Sequence, residues 1–507
     1  RDEIESVLAD IWSEHLELGE VGVRENFFEI GGHSLAAVRI QHDIAEQLAA
    51  NVPLEVFFEH PTIESLAEYV EFGGDDFDRI EASDYEDEAP LSAGQRRMWF
   101  VQKLDPDTCA FHLPGVFRLT GELDQEALER ALRGVVERHE ILRTVFPLRE
   151  TEPVQKICET PDTLVGSIED LRGLDNPEQR AEALIDKYIE EPFDLTADPP
   201  MRVWLLRTSE QEWVLCLVFH HIAIDEWTAG VLLEELEALY TAEVEGREPD
   251  LEELPIQYAD YAIWQSEQLD GEAYEQGRQF WRDHLEGANE AIDWPIERDQ
   301  SGDDHPAGYV TFAWDEQTSE ALYELAEKRG TSLFVASYAL FSAFLARFAG
   351  QRDVTVGLPV TQRQRPELRD LVGFFVNTIP VRTSAGASRS VEQWFEAASS
   401  SWEATGPHQW IPLEEIVEAV GAERGGGRVP LMDVMFWHLP GDRIGDRFGG
   451  LAIERFAENA VPNAKVPLEV ELVGDEGPLE GHFKYDAGEF DRTDVERMAA
   501  FFERFVD

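Results

Sequence analysis

The chain has 507 residues, of which 43% are hydrophobic, so it is long enough for two to four domains with sizeable cores. Against 42 Lys and Arg stand 104 Asp and Glu, and the formal charge of −62 disfavours nucleic acid and anionic membrane surfaces as partners. The longest apolar runs fall far short of the ~20 residues that a membrane helix needs. Three widely spaced cysteines, Cys109, Cys158 and Cys216, indicate neither a disulfide framework nor a zinc site. We therefore expect a monomer without a metal, in a reducing, cytoplasmic compartment.

Residues 1–70 are predicted to form a small all-α domain of four helices. Apolar side chains recur at helical spacing in 4–12 and again in 37–48. Between them lies Asn-Phe-Phe-Glu-Ile-Gly-Gly-His-Ser-Leu at 26–35, where two glycines permit a tight turn and Ser34 begins the next helix. Ser34 is either an ordinary N-cap or, beside helix N-terminal amides, an attachment point for a phosphate ester. Because the helical pattern is already present at Arg1, we expect this chain to be a piece of a longer polypeptide.

Residues 71–90 read as a linker. This stretch contains nine acids, one base, Gly73 and Gly74, and almost no aliphatic side chains. Such a composition predicts a solvated, self-repelling and extended segment that lets the first domain move relative to the next.

From residue 91 onwards, helical and strand patterns alternate, which argues for an α/β sandwich. Amphipathic spacing predicts helices at 124–138 and 177–190. Short apolar runs predict strands at 202–206 and 213–219, and we expect these two strands to be neighbours.

The strand at 213–219 leads directly into His220 and His221, and a helical pattern starts at Thr228. Successive strand side chains point to opposite faces, so one imidazole is expected to be structural while the other faces a cleft. An imidazole that titrates near neutral pH can move a proton or hold an amine. Asp225 either caps the following helix, pairs with a buried Arg or orients an imidazole.

The string at 26–35 resembles the signature of peptidyl carrier proteins of nonribosomal peptide synthetases. The resemblance covers about seventy residues and extends to Val-Pro-Leu at 52–54 and Pro-Thr-Ile at 61–63. It implies that Ser34 carries 4′-phosphopantetheine, which a phosphopantetheinyl transferase would attach.

Residues 90–507 resemble the condensation domains of the same synthetases. Besides His-His-x-x-x-Asp at 220–225, the matching strings are Gln-Tyr-Ala-Asp-Tyr-Ala-Ile-Trp-Gln at 257–265, Asp-Val-Thr-Val-Gly at 353–357, Val-Gly-Phe-Phe-Val-Asn-Thr at 372–378 and Arg-Val-Pro-Leu-Met-Asp-Val-Met-Phe at 428–436. Several motifs in the family's order, behind a carrier, are far more specific than any one of them. The implied fold is α/β and two-lobed, like chloramphenicol acetyltransferase, with an N-lobe at 91–266, a C-lobe at 267–507 and a tunnel between them. Residues 438–452 are expected to form an exposed loop or hairpin, a candidate crossover between the lobes.

The implied reaction forms an amide between a donor acyl or peptidyl thioester on Ser34 and the α-amine of an aminoacyl thioester on a downstream acceptor carrier. The same family implies upstream and downstream adenylation domains as partners, and a product of secondary metabolism such as an antibiotic or siderophore. His221 is the expected catalytic residue, as proton acceptor or positioning group, and His220 is expected to be structural. By family analogy, Asp225 forms a buried ion pair with Arg138 or Arg143.

Many condensation domains have Gly after the motif's Asp, whereas this chain has Glu226. Its carboxylate either holds the acceptor's ammonium group, favours a protonated imidazole or turns outward at the helix N-terminus. Two other functions stay open: an epimerisation domain, disfavoured because Trp227 follows the Asp too closely, and a non-catalytic docking platform, disfavoured by the intact motif.

Overall fold

The structure is a computed structural model. It describes residues 3–16, 21–27, 30, 39–41, 43–44, 47–48, 50, 52, 56–57, 60–73, 79–289, 291–296, 306–363, 365–385, 390–422, 431–439, 447–456, 463–475 and 477–506.

The first region is helical, as predicted. It contains α1 (Glu3–His15) and α2 (Ile63–Gly73), with shorter helical stretches between them. Trp12 and Phe27 pack edge to face, with ring centroids 4.9 Å apart, and form a separate core with Phe57. That this domain has four helices remains a prediction.

The predicted linker at 71–90 is more structured than its composition suggested. Helix α2 continues to Gly73, and from residue 79 the chain packs on the large region. Ile80 is buried in that region's core, and the Ser83 N–H donates to Asp260 Oδ1 (2.7 Å). One buried aliphatic group and one hydrogen bond to a buried carboxylate therefore fix residues that charge repulsion alone would leave extended.

The N-lobe is a six-stranded sheet with helices packed on it. Its helices are α3 (Ala93–Leu104), α4 (Gln125–Arg138), α5 (Pro177–Ile189), α6 (Glu226–Glu245) and α7 (Tyr258–Gln268), with a 3-10 turn at Glu140–Arg143. Its strands are β1 (Glu88–Pro90), β2 (His112–Thr120), β3 (Thr144–Val145), β4 (Leu148–Arg149), β5 (Glu152–Ile157), β6 (Val165–Asp170), β7 (Met201–Arg207) and β8 (Glu212–His220). Strands β2, β8, β7 and β6 belong to the main sheet, and β1, β5, β3 and β4 form a small second sheet.

The elements predicted around the His pair are confirmed. Strands β7 and β8 are antiparallel neighbours, and β8 is buried at nearly every position. Its run of β-branched and aromatic residues suits a central strand that is covered on both faces.

The C-lobe repeats this architecture with its own sheet, so the predicted two-lobed α/β fold is confirmed. Its helices are α8 (Gly271–His284), α9 (Glu316–Arg329), α10 (Leu333–Ala349), α11 (Val391–Thr405), α12 (Leu413–Val420) and α13 (Arg492–Val506), with 3-10 turns at Pro366–Leu368 and Gly406–His408. Its strands are β9 (Ala307–Ala313), β10 (Asp353–Thr361), β11 (Val376–Ser384), β12 (Val434–Leu439), β15 (Leu468–Val473) and β16 (Glu480–Asp486), in the order β11-β10-β12-β15-β16-β9.

Two segments from the second half of the chain contact the N-lobe. The hairpin of β13 (Arg447–Phe448) and β14 (Leu451–Arg455) joins the N-lobe sheet beside β2. Leu371, Phe374 and Phe375 pack into the N-lobe core. A hairpin that crosses to the N-lobe is therefore present within the predicted 438–452 segment, but the expectation of an exposed hairpin is wrong, because Phe448 and Leu451 are buried in the N-lobe core. The predicted C-lobe of 267–507 thus contains a piece of the other lobe's sheet.

Among the helices that the structure describes, none is by itself long and apolar enough to cross a membrane, and α9 with α10 passes such a test only as a pair bent by 106°.

Candidate active site between the lobes

The His pair lies where β8 leaves the N-lobe sheet. His220 is the last residue of β8 and lies opposite His112 of β2. The His221 N–H donates to the carbonyl of Phe111 (2.8 Å), and the Ala223 N–H donates back to the carbonyl of His220 (3.0 Å). The chain therefore turns at once towards α6, and the two rings meet different neighbours.

Hydrogen bonding fixes the tautomer of His221. Its Nδ1 lies 2.7 Å from the carbonyl oxygen of Ile224, which can only accept, so Nδ1 carries the proton and Nε2 presents a lone pair. Nε2 faces Glu226 Oε1 at 3.7 Å, which is too long for a hydrogen bond. The ring meets Phe374 edge to face, with centroids 5.1 Å apart, and only 4% of the side chain is exposed.

The surroundings keep the His221 imidazole neutral. Burial lowers its pKa well below the usual value, and the nearby cation of Lys465 lowers the pKa further, against the opposite effect of the Ile224 carbonyl. At neutral pH the ring therefore has a free lone pair on Nε2. That is the state required of a group that accepts a proton from an amine.

His220 is enclosed within the N-lobe. Its Nδ1 accepts from the Ile222 N–H (3.0 Å), so the protonated Nε2 faces Gln102 Oε1 at 3.3 Å. Phe193 packs edge-on against the ring, with centroids 5.8 Å apart. Both ring nitrogens thus have partners inside the lobe, which supports a structural role.

Asp225 joins the two lobes. Its Oδ1 accepts from the Thr228 N–H (2.8 Å), which caps α6, and lies 3.4 Å from Arg363 Nη2. Its Oδ2 accepts from the Phe375 N–H (2.9 Å). The Asp225 and Arg363 side chains are 1% and 2% exposed. Two of the expected roles therefore occur together, as an N-cap and as a buried ion pair.

The expectation that Asp225 pairs with Arg138 or Arg143 is wrong. Arg138 Nε donates to Glu235 (2.9 Å), and Arg143 bonds to a carboxylate three residues before it. Glu235 lies ten residues along α6 from Asp225, about 15 Å at helical rise, so Arg138 is held far from the motif. The C-lobe supplies the partner instead, since Arg363 follows the end of β10 by two residues.

Arg363 is held by several groups besides Asp225. Its Nη1 donates to the carbonyls of Leu368 and Leu371, the latter at 2.8 Å, and its Nη2 donates to Thr228 Oγ1 (2.7 Å). The guanidinium also lies over the Phe375 ring, 4.2 Å from its centroid. The charge is therefore buried with partners from both lobes, as a buried ion requires.

Glu226 is the first residue of α6 and turns towards His221 rather than away from the site. Desolvation raises the pKa of its carboxyl, and the cation of Lys465 opposes that rise. A third of the side chain nevertheless remains exposed. The Glu226 carboxyl is therefore desolvated, close to His221 Nε2 and still partly accessible to solvent.

A crevice between the two lobes lies beside this site, although neither His221 nor Glu226 lines it. It is lined by α3, α7 and the C-lobe, including Gly94, Arg97 and Trp410, and by Phe374. Phe374 lies between the crevice and His221, because its ring also packs on the imidazole. Within the described residues, the crevice therefore ends at Phe374, and the predicted tunnel past His221 stays a prediction.

Asn377, from the motif at 372–378, forms hydrogen bonds with the backbone of a neighbouring segment. Asn377 donates to the carbonyls of Gln409 and Ile411 (2.9 and 2.7 Å) and accepts from the Leu413 N–H (3.2 Å). The site also includes Arg363, which the sequence analysis missed because this side chain comes from a segment 138 residues away from Asp225.

Ser34 lies outside the described residues. The contact between the carrier and the large region shows from which side an arm on Ser34 would approach the site. Asp43, nine residues after Ser34, bonds to Arg369 Nη1 (3.1 Å). The Arg369 carbonyl in turn accepts from the indole N–H of Trp227 (3.4 Å), the residue after Glu226. The carrier thus rests on the same side as the start of α6, which is compatible with an arm that enters towards His221.

Comparisons with known proteins agree with this organisation. Residues 85–507 match the family model of the condensation domain, and residues 6–70 match that of the phosphopantetheine attachment site. A linear gramicidin synthase of Brevibacillus parabrevis is 33% identical over 513 residues, covering 100% of this chain and 10% of that protein. Malpinin synthetase of Mortierella alpina is 33% identical over 507 residues, covering 98% of this chain and 6% of that protein. The chain thus spans about a tenth or less of the length of these relatives.

Solved structures show the same fold. The X-domain bound to OxyB from teicoplanin biosynthesis is 28% identical, with a TM-score of 0.76 over 84% of this chain and 94% of that one. The first condensation domain of the calcium-dependent antibiotic synthetase is 22% identical, with a TM-score of 0.69 over 83% and 96%, and supports the fold alone. The chain therefore belongs to the condensation domain family and carries a phosphopantetheine attachment site ahead of that domain, the arrangement of a nonribosomal peptide synthetase.

Proposed function

We propose that this didomain forms a peptide bond between an acyl or peptidyl donor on its own carrier and the α-amine of an aminoacyl thioester on a downstream carrier. Ser34 is the proposed attachment residue, where 4′-phosphopantetheine would hold the donor as an activated thioester. The observation that carries the proposal is the neutral His221 ring between the lobes, whose Nε2 lone pair is free.

His221 would act first as a proton acceptor. Since Nδ1 is committed to the Ile224 carbonyl, the neutral ring has no donor at Nε2. Nε2 can accept a hydrogen bond from the attacking amine and take its proton as the amide forms. The resulting imidazolium can return that proton to the departing sulfur. Positioning two tethered reactants supplies much of the remaining acceleration.

Glu226 is proposed to contact the acceptor amine. Its carboxylate lies next to the lone pair that would receive the proton, and it is accessible. The lowered pKa of His221 argues against the alternative in which Glu226 stabilises a protonated ring. Replacement of Glu226 by Gln or Gly is expected to raise the acceptor KM, and unchanged acceptor affinity and turnover in both variants would contradict the contact.

The proposed partners are the downstream acceptor carrier, adenylation domains of the same synthetase and a phosphopantetheinyl transferase. All three cysteines are free thiols, which supports the proposed cytoplasmic location.

A second candidate is a docking platform for a tailoring enzyme, because the X-domain bound to OxyB has the same fold at 28% identity. The complete His-His-x-x-x-Asp string and the free Nε2 of His221 favour catalysis over that alternative.

One assay separates the candidates. The didomain is loaded with a dipeptidyl pantetheine and mixed with each of the twenty aminoacyl pantetheine thioesters, and the products are analysed by mass and chiral chromatography. A new amide supports condensation, and a stereochemical change on the carrier's cargo supports epimerisation. If the cargo is unchanged, the result supports the docking platform and contradicts the proposed function. His221→Ala should lower the amide-forming rate by about 10²- to 10⁴-fold. His482→Ala, in the C-lobe sheet, is the matched control and should keep the rate.

A further inference from the structure

Phe374 separates the crevice between the lobes from His221. Its ring lines the crevice, and the same ring packs edge to face on the imidazole, with centroids 5.1 Å apart. Neither His221 nor Glu226 lines the crevice, and the Phe374 and His221 side chains are each only 4% exposed. A molecule in the crevice therefore meets the Phe374 ring before it can reach the imidazole.

The backbone that carries this ring is fixed by the N-lobe. The Phe374 carbonyl accepts from the Tyr258 O–H (2.7 Å), and the N–H of the next residue, Phe375, donates to Asp225 Oδ2 (2.9 Å). Both bonds are buried, so the segment cannot move away without breaking them. The way from the crevice to His221 can therefore open by rotation of the side chain while the backbone stays in place.

Phe374 is less constrained than the phenylalanine that follows it. The Phe375 ring lies between two tyrosine rings and under the guanidinium of Arg363, 4.2 Å from its centroid. The Phe374 ring instead lies against Gly94 of α3, where an added Cβ would come within 2.5 Å of it, and against His221. When it turns, Phe374 thus has fewer specific contacts to lose than its neighbour has.

The crevice is separate from the described contact with this chain's own carrier. Asp43 of the carrier bonds to Arg369 (3.1 Å), and Arg369 does not line the crevice. The crevice has walls from both lobes, where Arg97 of α3 and Glu414 of α12 form an ion pair (3.4 Å). A reaction between two carrier-bound groups needs two approaches to one site, and the crevice offers the second.

We propose that the aminoacyl end of the acceptor approaches His221 through this crevice and that Phe374 is the gate, which must turn aside before the α-amine meets Nε2. This inference rests on the proposed condensation function. Only chains whose ring is turned aside can bind the acceptor productively, so the open fraction lowers its apparent affinity. A minor conformer populated at about 10% or less weakens binding at least about tenfold.

The first test measures access to His221 without amide formation. Diethyl pyrocarbonate acylates unprotonated imidazoles, and tandem mass spectrometry locates the modified ring. Phe374→Leu keeps an apolar side chain but removes the ring, so His221 should react about tenfold faster. Phe374→Trp keeps the way closed, so His221 should react no faster than in the wild type. His220 is fully buried and should stay unmodified in every variant.

The two substitutions separate a gate from a residue that only fills space. Underpacking and overpacking both disturb a core, so a merely structural Phe374 would expose His221 in both variants. A gate predicts opposite effects on the acceptor KM of the carrier-loaded didomain, measured with an aminoacyl pantetheine thioester. KM should fall about tenfold in Phe374→Leu and rise in Phe374→Trp. Phe146→Leu, the same change at another buried phenylalanine of the N-lobe core, is the matched control and should alter neither quantity.

A blocked crevice identifies the route. Arg97→Cys lines the crevice and can carry a bulky maleimide, in a Cys158→Ser background that removes the one native cysteine that is not buried. Added to Phe374→Leu, the labelled variant should return the reactivity of His221 and the acceptor KM towards the wild-type values. The same chain without the label should keep the gains of Phe374→Leu.

The inference is overturned if Phe374→Leu changes neither the reactivity of His221 nor the acceptor KM, or if Phe374→Trp exposes His221 as much as Phe374→Leu does. A maleimide without effect, or modification of His220, would also overturn it, and circular dichroism checks that each variant is folded. A wild-type didomain that forms no amide would instead refute the proposed function, while the diethyl pyrocarbonate reaction would still decide whether Phe374 closes the crevice.

Discussion

The ion pair between Asp225 and Arg363 supports the largest stability prediction. We replace Arg363 by Met, which has a similar length and no charge. Asp225 is then left 1% exposed with two backbone N–H donors, from Thr228 and Phe375, and without its counter-charge. Removal of one partner from a buried pair costs about 3–5 kcal/mol. We therefore expect the free energy of unfolding of the condensation region to fall by about that amount.

Asp225→Ala should be at least as damaging. It leaves the buried Arg363 guanidinium without its carboxylate partner and also removes the side chain that caps α6, an N-cap worth roughly 0.5–2 kcal/mol. Urea unfolding followed by tryptophan fluorescence reports on this region, because Trp12 is the only one of 13 tryptophans that lies before residue 91.

A double-mutant cycle provides the decisive comparison. Asp225→Ala and Arg363→Met share one interaction, so their effects should fall short of additivity by more than about 1 kcal/mol. The same cycle with Arg143→Met is the matched control, since Arg143 binds Glu140 and the Cys158 carbonyl instead. Additive effects at Asp225 and Arg363, or a coupling of Asp225 to Arg143, would refute the assignment.

Three further predictions concern the site and the carrier. Arg369→Asp should lower the turnover rate of the carrier-loaded donor about two- to fivefold, because it removes the ion pair with Asp43. Adding Asp43→Arg to the same chain should restore the rate. Neither variant should change the turnover rate of a free acyl pantetheine donor. Gly94→Ala places a Cβ about 2.5 Å from the Phe374 ring, so it should displace that ring and lower turnover about tenfold while thermal unfolding shows a folded protein. The pKa of His221 is lower in the folded chain than the ordinary value of 6.5, so below that pH the unfolded chain binds more protons than the folded chain. The free energy of unfolding therefore falls as the pH is lowered. His221→Gln removes this group and should reduce the fall by up to about 1.4 kcal/mol per pH unit, as measured by chemical unfolding from pH 7 to pH 5.

Local patterns in the sequence predicted the secondary structure around the site well. Strand β8 was predicted at 213–219 and runs from Glu212 to His220, and α4 was predicted at 124–138 and runs from Gln125 to Arg138. The strand depends on its apolar run, and the helix depends on its hydrophobic spacing and on Asp124 as its N-cap. These are properties of neighbouring residues. The position of the His pair at the end of a central strand follows from the same information.

The partners of the site could not be predicted because they are distant in sequence. Arg363 lies 138 residues from Asp225, whereas the arginines chosen by analogy lie in the same lobe as the motif. A pairing across two lobes depends on how two sheets meet, and single-sequence patterns carry no information about that.

Two short segments, one from each lobe, contact each other around His221. On the N-lobe side, Ile224 fixes the tautomer of His221 and Asp225 bonds to the C-lobe. On the C-lobe side, Phe374 packs on the His221 ring and Phe375 offers its N–H to Asp225. The contacts that orient the imidazole and those that hold the lobes together thus come from adjacent residues. Any separation of the lobes that widens the way in for a substrate must also loosen the ring's surroundings, so that substrate entry and assembly of the site are coupled through the same few bonds.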